Sequence, residues 1–259
     1  MKYQSIKLET AGEIATLTLA RPAKLNALTP DMADEMRHAL GNCGDARAIL
    51  IMGEGRAFCS GADLSAILGQ GSASEGAHRA LTHHYNPLIE DIVEHELPVV
   101  SAVNGAAAGI GCSLALACDF CVAAGSAYFL QSFVNIGLVP DGGASWLLPR
   151  LIGKARAAEM LMLGEKVHGR TAVEWGLIHR CVEDHMVSNE AQALAARLAA
   201  GPTKALGLMK MNLNGALDHG LGTVLRAEAA AQREAAETED AAEGIGAFLT
   251  KRNAEFKGS

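Results

Sequence analysis

Aromatic residues and clusters of basic residues are both scarce in this sequence. Aromatics make up 4% of its 259 residues, whereas alanine and glycine are abundant, so we expect helices and strands to pack closely through small side chains. The formal net charge is −7 and no run of lysine or arginine occurs, which argues against a nucleic-acid partner. A small anionic ligand is compatible with this charge, because backbone amides and a few lysines can hold phosphate.

The sequence also shows no pattern typical of a signal peptide or of a membrane span with a defined orientation. The first ten residues, MKYQSIKLET, contain no apolar signal region. Residues 98–118 and 120–140 carry no charge, and each run is long enough to cross a bilayer. However, Asn104 and three glycines interrupt the first run, and no Lys/Arg asymmetry orients it. We therefore predict a cytoplasmic protein that keeps both runs inside its core and has no membrane partner.

The cysteines do not form a metal-binding pattern. Six are spread irregularly through the chain, as expected of free buried thiols in a reducing cytosol. Cys118 and Cys121 form one C-x-x-C, but there is no second pair and no nearby histidine at ligand spacing. We predict no metal site and no redox role.

The remaining composition predicts an α/β protein with a helical tail. Apolar residues make up 49% of the chain, enough for a large core. Strands alternate with helices over 46–126, which predicts parallel pairing, and Thr29 and Pro30 suit a helix start. We divide the chain into an α/β core over 1–195 and a helical region over 196–259. The predicted strands are 4–9, 13–20, 46–54, 98–104 and 120–126, the predicted loop is 55–64, and the predicted helices are 30–40, 74–96, 111–118, 154–163, 171–176, 186–200, 203–213 and 222–250.

The glycines of VNGAAAGIGCS, residues 103–113, are close to the turn that holds a nicotinamide dinucleotide in short-chain dehydrogenases. Such a turn should follow the first strand, but this one begins at residue 105, after several predicted strands. That family also needs Tyr-x-x-x-Lys downstream of the glycines, and the only such spacing here, Tyr3–Lys7, lies upstream. The order of the motifs argues against hydride transfer.

The same glycines suit the binding of a carbonyl oxygen. A strand-to-helix turn at Gly109–Gly111 leaves backbone N–H groups unpaired at the positive end of the helix. Such groups stabilise negative charge that develops on a substrate oxygen, and glycine lets the substrate approach the backbone. The loop FCSGAD, residues 58–63, is a second candidate because its residues are also small. Tight packing of helix on strand is the alternative role of these glycines.

Five motifs, in order, resemble the enoyl-CoA hydratase/isomerase (crotonase) superfamily along nearly the whole chain. They are RPAKLNAL, GRAFCSGADL, PVVSAVNGAAAGIGCSLALACDF, IGLVPDGG and EDAAEGIGAFLTKRNAEFKG. The resemblance implies a spiral of ββα turns with a C-terminal helical trimerisation region, assembled as a homotrimer or as a hexamer (a dimer of trimers). It also implies an acyl-CoA thioester as ligand, with coenzyme A as part of the substrate and no separate cofactor.

The resemblance further implies which residues form the site. The backbone N–H groups of Ala62 and Ile110 would form an oxyanion hole. The other residues implied to bind substrate are Lys24, Ala57, Cys59, Ser60, Gly61, Gly109, Gly111, Ser113 and Phe133. The tail of a neighbouring subunit, near Lys251 and Phe256, would close over the ligand, and in that tail Ala254 stands where the family has proline.

The two glutamates that hydratases of this family use are missing. Ser113 and Phe133 occupy their positions. Addition of water needs activation of the water and delivery of a proton to the α-carbon, and two carboxylates divide that work. Serine and phenylalanine cannot do so, which argues against hydration by the usual route. We expect Ser113 to pack within its helix and Phe133 to form pocket wall.

Asp141 is the remaining candidate acid. It follows the uncharged run 120–140 directly, and apolar surroundings should raise its pKa. Isomerases of the family resemble this segment and place an acid here, and a double-bond shift needs only one proton shuttle and an oxyanion hole. We therefore predict an isomerase with Asp141 as acid/base; the alternative is that Asp141 caps the next helix. Asp119, at the other end of the run, is predicted to be a structural acceptor of backbone hydrogen bonds.

Three other functions stay open from the sequence. In a relative of the aryl-CoA dehalogenases, Asp141 would be a nucleophile and a histidine would assist it. The candidate histidines are His78, His83 and His84. A hydratase would need another acid, for which the candidates are Glu75, Glu90 and Glu94. A non-catalytic acyl-CoA binder would also account for the loss of both glutamates.

Overall fold

The computed structural model describes residues 2–67 and 72–259, which form a six-stranded and a four-stranded β-sheet surrounded by helices. The strands are β1 Ile6–Ala11, β2 Ile14–Leu19, β3 Ala48–Gly53, β4 Ala57–Cys59, β5 Val99–Val103, β6 Ala106–Ala108, β7 Phe120–Ala124, β8 Tyr128–Leu130, β9 Val167–His168 and β10 Arg180–Val182. The helices are α1 Pro30–Leu40, α2 Leu64–Ile67, α3 Ala73–Ala80, α4 Asn86–Val93, α5 Ile110–Leu116, α6 Ala144–Leu163, α7 Gly169–Glu174, α8 Val187–Ala199, α9 Thr203–Ala216, α10 Leu221–Ala236 and α11 Glu239–Thr250.

The larger sheet is the parallel sheet that the alternating pattern predicts. Its strand order is β1-β2-β3-β5-β7-β10; β1 and β2 form an antiparallel hairpin, and the other neighbours pair in parallel. Ile51 of β3 lies opposite Ser101 of β5, which lies opposite Cys121 of β7. β5 is buried along its whole length, as is typical of a parallel strand covered on both faces.

The smaller sheet, β4-β6-β8-β9, is not evident in the sequence pattern. Its strands have two or three residues each, too few to show a periodicity. β4, β6 and β8 pair in parallel, and β9 pairs antiparallel with β8. β4 lies within the predicted loop 55–64.

Successive strands of the chain alternate between the two sheets before a helix begins. β3 and β4 precede α2, and β5 and β6 precede α5. The turns between the paired strands also pack closely on each other. Gly105, between β5 and β6, lies against Arg56, between β3 and β4, and a Cβ at Gly105 would lie only 2.1 Å from the Arg56 carbonyl oxygen. This repeat, followed by the helical C-terminal region, confirms the predicted spiral of ββα turns.

α8 packs against the larger sheet through small side chains. Ala191, Ala195 and Ala199 are buried at a spacing of four residues, which places them on one helix face against β3 and β5. The boundary predicted at residue 195 falls inside this helix.

The helix predicted over 74–96 is continuous over 73–93 and contains a π-helical turn. α3 ends at Ala80, a π-helical turn covers Leu81–Tyr85, and α4 begins at Asn86. Pro87 follows directly and has no N–H to donate to the preceding turn. Near the bend expected at Pro87, the structure has a change from α-helical to π-helical hydrogen bonding over the five residues before Asn86.

The C-terminal region consists of α9, α10 and α11. α10 buries none of its side chains, and α11 begins after Thr238, whose hydroxyl accepts a hydrogen bond from the Ala241 N–H. The single helix predicted over 222–250 is therefore two helices. In the part of the chain that the structure describes, no helix is long and apolar enough to cross a membrane.

Candidate active site

The loop after β4 is held by the segment 21–28. The Leu28 N–H donates to the Gly61 carbonyl oxygen at 2.8 Å, and the Asp63 N–H donates to the Leu28 carbonyl oxygen at 2.8 Å. These two bonds form an isolated parallel bridge between Leu28 and Ala62. The bridge fixes the backbone on both sides of Ala62 and does not use the N–H of Ala62 itself.

Buried polar side chains fix the segment that holds this loop. Asn26 is fully buried; its Oδ1 accepts from the Arg21 N–H at 2.9 Å, and its Nδ2 donates to the Ala57 carbonyl oxygen at 2.8 Å. The Arg21 guanidinium pairs with Asp63 at 2.9 Å. Hydrogen bonds from Ser65 and from Arg21 lower the pKa of Asp63. The loop therefore has the rigid support that a preorganised site requires.

The residues predicted along the coenzyme A path lie together around this loop. Ala57 and Cys59 are buried on β4, and Ser60 and Gly61 follow them. Lys24 ends a 3-10 turn over Pro22–Lys24 and is exposed. Its carbonyl oxygen accepts from Ser60 Oγ at 3.5 Å, so its chain segment lies directly beside the loop.

The second loop is the turn from β6 into α5. Gly109 has φ +52°, a conformation that favours glycine, and its N–H donates to the Leu130 carbonyl oxygen at 2.8 Å. Ile110 is the first residue of α5, where an N–H has no partner within the helix. Within residues 2–67 and 72–259, neither the N–H of Ile110 nor that of Ala62 donates to another group.

The two loops meet at glycines. A Cβ on Gly109 would lie 3.8 Å from the Gly61 Cα, and a Cβ on Gly61 would lie 3.2 Å from the Ala108 carbonyl oxygen. A Cβ on Gly111 would lie 2.3 Å from the Cys59 carbonyl oxygen. These glycines thus serve close packing, and the packing places two unpaired N–H groups on adjoining loops. Such a pair can bind an oxygen on which negative charge develops.

Asp141 lies in the loop before α6 and does not cap that helix. The N-cap of α6 is Gly143, and no described side chain forms a capping hydrogen bond there. The Asp141 main-chain carbonyl oxygen accepts from the Ala144 N–H at 3.1 Å, whereas the side-chain Oδ1 is buried without a hydrogen-bond partner among the described residues. The alternative prediction that Asp141 caps the helix is therefore wrong.

Burial determines the electrostatics of Asp141. It raises the pKa of this carboxyl to about 6, because the charged form loses its hydration. A carboxyl group with such a pKa is suited to proton exchange near neutral pH. The pKa of the Tyr85 hydroxyl is also raised, first by burial and then by the charge of Asp141. The helix α4, which follows Tyr85, lies beside the loop of Asp141, since a Cβ on Gly143 would lie 3.7 Å from the Ile89 Cγ2.

Asp141 is joined to the first turns of α5. Ser113 Oγ donates to the Asp141 carbonyl oxygen at 3.1 Å. A Cβ on Gly142 would lie 2.9 Å from the Ser113 Cβ and 3.1 Å from the Ile110 Cγ1. The structure thus brings together the three predicted catalytic residues, Asp141, Ala62 and Ile110, on neighbouring loops.

The positions of the missing glutamates border the same place. Ser113 is fully buried, and Phe133 is half-buried with its Cζ 3.5 Å from the position of a Cβ on Gly109. The buried Gln131 donates from Nε2 to Ser113 Oγ at 3.4 Å. A serine and an aromatic ring therefore lie beside the loops at the two positions where the resemblance implies carboxylates, and an amide lies next to the serine.

Lys251 and Phe256 do not lie beside these loops within the chain. Lys251 is exposed at the end of α11, and the Phe256 carbonyl oxygen accepts from Arg47 Nη1 at 3.0 Å. Arg47 directly precedes β3, whereas the β4 loop follows its other end, and a six-residue strand separates the two ends by roughly 17 Å. The predicted role of this tail concerns a neighbouring subunit and stays a prediction.

The other candidate acids and bases are not gathered at the site. Glu75, Glu90 and Glu94 are exposed, as are His78 and His83. His84 pairs with Asp34 at 2.9 Å. In the two described ranges, no three His, Cys, Asp or Glu side chains form a group that could hold a metal ion.

Some residues around the site were not among the predicted ones: Tyr85, Arg21, Asn26 and Gln131. Helical spacing could have indicated Tyr85, which precedes the buried Leu88, Ile89 and Ile92 by three, four and seven residues. Arg21 and Asp63 are 42 residues apart, and no local pattern signals their pairing.

Known proteins resemble the whole chain. A model of the enoyl-CoA hydratase/isomerase family matches residues 9–259. A protein from Rhodobacter capsulatus named "Probable enoyl-CoA hydratase" is 44% identical, and the alignment covers 100% of this chain and 100% of that protein. The 1,2-epoxyphenylacetyl-CoA isomerase of Escherichia coli is 41% identical over 95% of both chains. A crystal structure of enoyl-CoA hydratase from Bacillus anthracis superimposes with a TM-score of 0.93 at 30% identity, covering 99% of this chain and 100% of that one.

Proposed function

Because this chain belongs to the enoyl-CoA hydratase/isomerase family, we propose that it is an acyl-CoA isomerase that shifts a carbon–carbon double bond. The observation that carries the proposal is the carboxyl group of Asp141, whose Oδ1 is buried without a hydrogen-bond partner among the described residues. It lies near the loops that leave the N–H groups of Ala62 and Ile110 unpaired in the same part of the chain. One such acid and two amides are sufficient for a double-bond shift.

In the proposed reaction, the Asp141 carboxylate removes the proton between the thioester carbonyl and the double bond of a 3-enoyl-CoA. The electron pair of that C–H bond moves into the C1–C2 bond, and the thioester oxygen takes the negative charge. The N–H groups of Ala62 and Ile110 stabilise this enolate. The protonated Asp141 then returns the proton to C4, which gives the conjugated 2-enoyl thioester and regenerates the carboxylate.

Coenzyme A would be held along the outer side of the β4 loop. The exposed ammonium of Lys24 is available to a phosphate of coenzyme A, and the small residues Ser60 and Gly61 leave the backbone accessible to the pantetheine arm. The buried Ala57 and Cys59 support the loop from within, and Phe133 and Ser113 would border the acyl group. No separate cofactor is needed for this chemistry.

Hydration is the second candidate function. It is favoured by the name of the Rhodobacter capsulatus relative, whereas the name of the Escherichia coli relative favours isomerisation. Hydration needs a second carboxylate, and Ser113 and Phe133 supply none. We therefore place isomerisation first.

The test is incubation of the protein with a 3-enoyl-CoA while the absorbance of the conjugated thioester is followed. We expect Asp141→Asn to lower kcat by about 10²–10⁴ and kcat/KM of the native protein to rise with pH through about 6, since the base must be ionised. Glu90→Gln, at an exposed carboxylate, is the matched control. Full activity of Asp141→Asn, or rapid hydration of crotonyl-CoA without isomerisation, would overturn the proposal.

We further propose that the chain assembles as a trimer or as a dimer of trimers through its C-terminal helices. Large apolar side chains are exposed there, among them Leu213, Leu217, Leu221, Leu225, Phe248 and Leu249. Apolar surface of this extent is typical of an interface. Sedimentation equilibrium should give three or six times the chain mass, and a monomer at micromolar concentration would contradict the assembly.

A further inference from the structure

We propose that Tyr85 is a positioning residue of the oxyanion hole, acting through Leu28 on the peptide that carries the Ala62 N–H. This inference rests on the proposed function, because it assigns Tyr85 to the same site. Tyr85 is 1% exposed and its hydroxyl donates to the Leu28 carbonyl oxygen at 2.8 Å.

The π-helical turn over Leu81–Tyr85 orients the Tyr85 side chain. The Asn86 N–H donates to the Leu81 carbonyl oxygen, five residues back. One additional residue in a helical turn rotates everything after it by roughly 100° relative to a regular α-helix. With this register, Tyr85 shares a buried face with the apolar side chains of α4, whereas Thr82 and His83 in the same turn are exposed. π-turns occur often at functional sites.

Leu28 connects the Tyr85 hydroxyl to the oxyanion-hole peptide. The Leu28 N–H donates to the Gly61 carbonyl oxygen at 2.8 Å. That carbonyl belongs to the same peptide group as the Ala62 N–H, so this bond fixes the direction in which the N–H points. It also polarises the peptide, which strengthens the Ala62 N–H as a donor. A displacement of Leu28 would therefore turn the donor away from the thioester oxygen.

The Tyr85 hydroxyl is not needed to satisfy the Leu28 carbonyl oxygen. That oxygen also accepts from the Asp63 N–H at 2.8 Å, so loss of the hydroxyl leaves no buried carbonyl unpaired. The second bond instead joins the helix of Tyr85, whose Ile89 lies beside Gly143 in the loop of Asp141, to Leu28, which holds the loop that carries Ala62. Tyr85 thus links the acid side of the site to the oxyanion side.

The test is Tyr85→Phe, which keeps the ring and removes the hydroxyl. We expect kcat to fall by about tenfold with KM unchanged, a smaller loss than the 10²–10³ that follows complete removal of an oxyanion donor. The thermal midpoint should stay close to that of the native protein. Tyr3→Phe is the matched control, because Tyr3 also has a bonded hydroxyl, 2.9 Å from His38 Nδ1, away from the site.

An infrared measurement separates this inference from the proposed reaction. A saturated acyl-CoA labelled with ¹³C at the thioester carbonyl reports polarisation by the hole without any turnover. We expect a shift of the carbonyl band to lower frequency on binding, reduced in Tyr85→Phe and unchanged in Tyr3→Phe. A reduced shift in Tyr85→Phe supports the inference even if the native protein does not isomerise 3-enoyl-CoA. An unchanged shift in Tyr85→Phe would overturn the inference, because the hydroxyl would then have no effect on the oxyanion hole. A Tyr85→Phe variant that no longer folds would also overturn it, because the role of the hydroxyl would then be purely structural.

Discussion

Asp119 and Asp141 lie at the two ends of the uncharged run 120–140, and burial raises the pKa of both. Asp119 has partners: its Oδ2 accepts from the Val99 N–H at 2.7 Å and lies 2.9 Å from Lys210 Nζ. As predicted, it accepts a backbone hydrogen bond. The Oδ1 of Asp141 has no hydrogen-bond partner among the described residues.

The comparison shows that burial alone does not decide the role of a carboxyl group. At Asp119, Lys210 and the Val99 N–H oppose the effect of burial, so the charge holds α9 against the core. At Asp141, burial raises the pKa and the described residues supply no hydrogen bond to Oδ1 that opposes it, which suits the group to the proposed proton exchange. We therefore expect changes near Asp119 to affect stability and changes at Asp141 to affect chemistry.

The largest effect on stability is expected from Lys210→Met. Lys210 is buried and also donates to the carbonyl oxygens of Ile92 and Leu97, so its removal leaves the Asp119 charge and two carbonyls poorly compensated. The free energy of unfolding should fall by about 3–5 kcal/mol at pH 7, as measured by urea denaturation. Activity per folded molecule should be unchanged.

A matched control for this change lies on the same helix. Lys204 pairs with Glu234 at 2.6 Å, but both side chains are about half exposed (47% and 51%). Lys204→Met should not change the denaturation midpoint measurably, because exposed pairs contribute little. If Lys210→Met and Lys204→Met lose the same free energy of unfolding, the buried pair of Lys210 and Asp119 contributes no more than an exposed pair. That result would contradict the structural role assigned to Asp119.

The next effect concerns the pH dependence of stability that Asp141 causes. The pKa of Asp141 is raised from 3.8 in the unfolded chain to about 6 in the fold, so the folded protein binds the proton more tightly. Stability is therefore lost as pH rises from about 4 to 7, by up to about 3 kcal/mol. Asp141→Asn should remove this dependence and unfold at higher urea than the native protein at pH 7.

Asp119→Asn supplies the contrasting result. Because it leaves the buried Lys210 without its anion, this variant should be less stable than the native protein at pH 7. A gain of stability in Asp119→Asn, or a loss in Asp141→Asn, would contradict the assignment of one carboxyl group to structure and the other to proton exchange.

The smallest effect is expected from Ser113→Ala. It removes the hydrogen bond to the Asp141 carbonyl oxygen, which keeps its bond from the Ala144 N–H, and the longer bond that Ser113 Oγ accepts from Gln131 Nε2. The unfolding free energy should therefore fall by about 1 kcal/mol. We expect kcat to fall as well, because the backbone of the acid is less well held. Ser101→Ala, which removes a buried bond to the Ala115 carbonyl oxygen at 2.9 Å, should cost similar stability without changing kcat. Equal kcat in both variants would show that Ser113 has no part in positioning.

The helices and longer strands were predictable because their signals are local. α1 begins at Pro30 after the capping Thr29 and ends at Leu40, as predicted from those residues. The short strands β4, β6 and β8 were not predicted, because three residues carry no periodicity and their pairing is with distant segments. The π-helical turn likewise has no pattern that distinguishes it from the α-helix around it.

The sequence by itself determined the family, the alternation of strands and helices, the absence of the paired glutamates and the candidacy of Asp141, since each depends on residue type and order along the chain. Only the tertiary structure decided that Asp141 does not cap α6, that the loops of Ala62 and Ile110 adjoin, and that Tyr85 contacts Leu28. The physical reason is that burial, hydrogen-bond partners and pKa depend on groups brought together from distant parts of the chain, and local sequence carries no record of which distant groups those are.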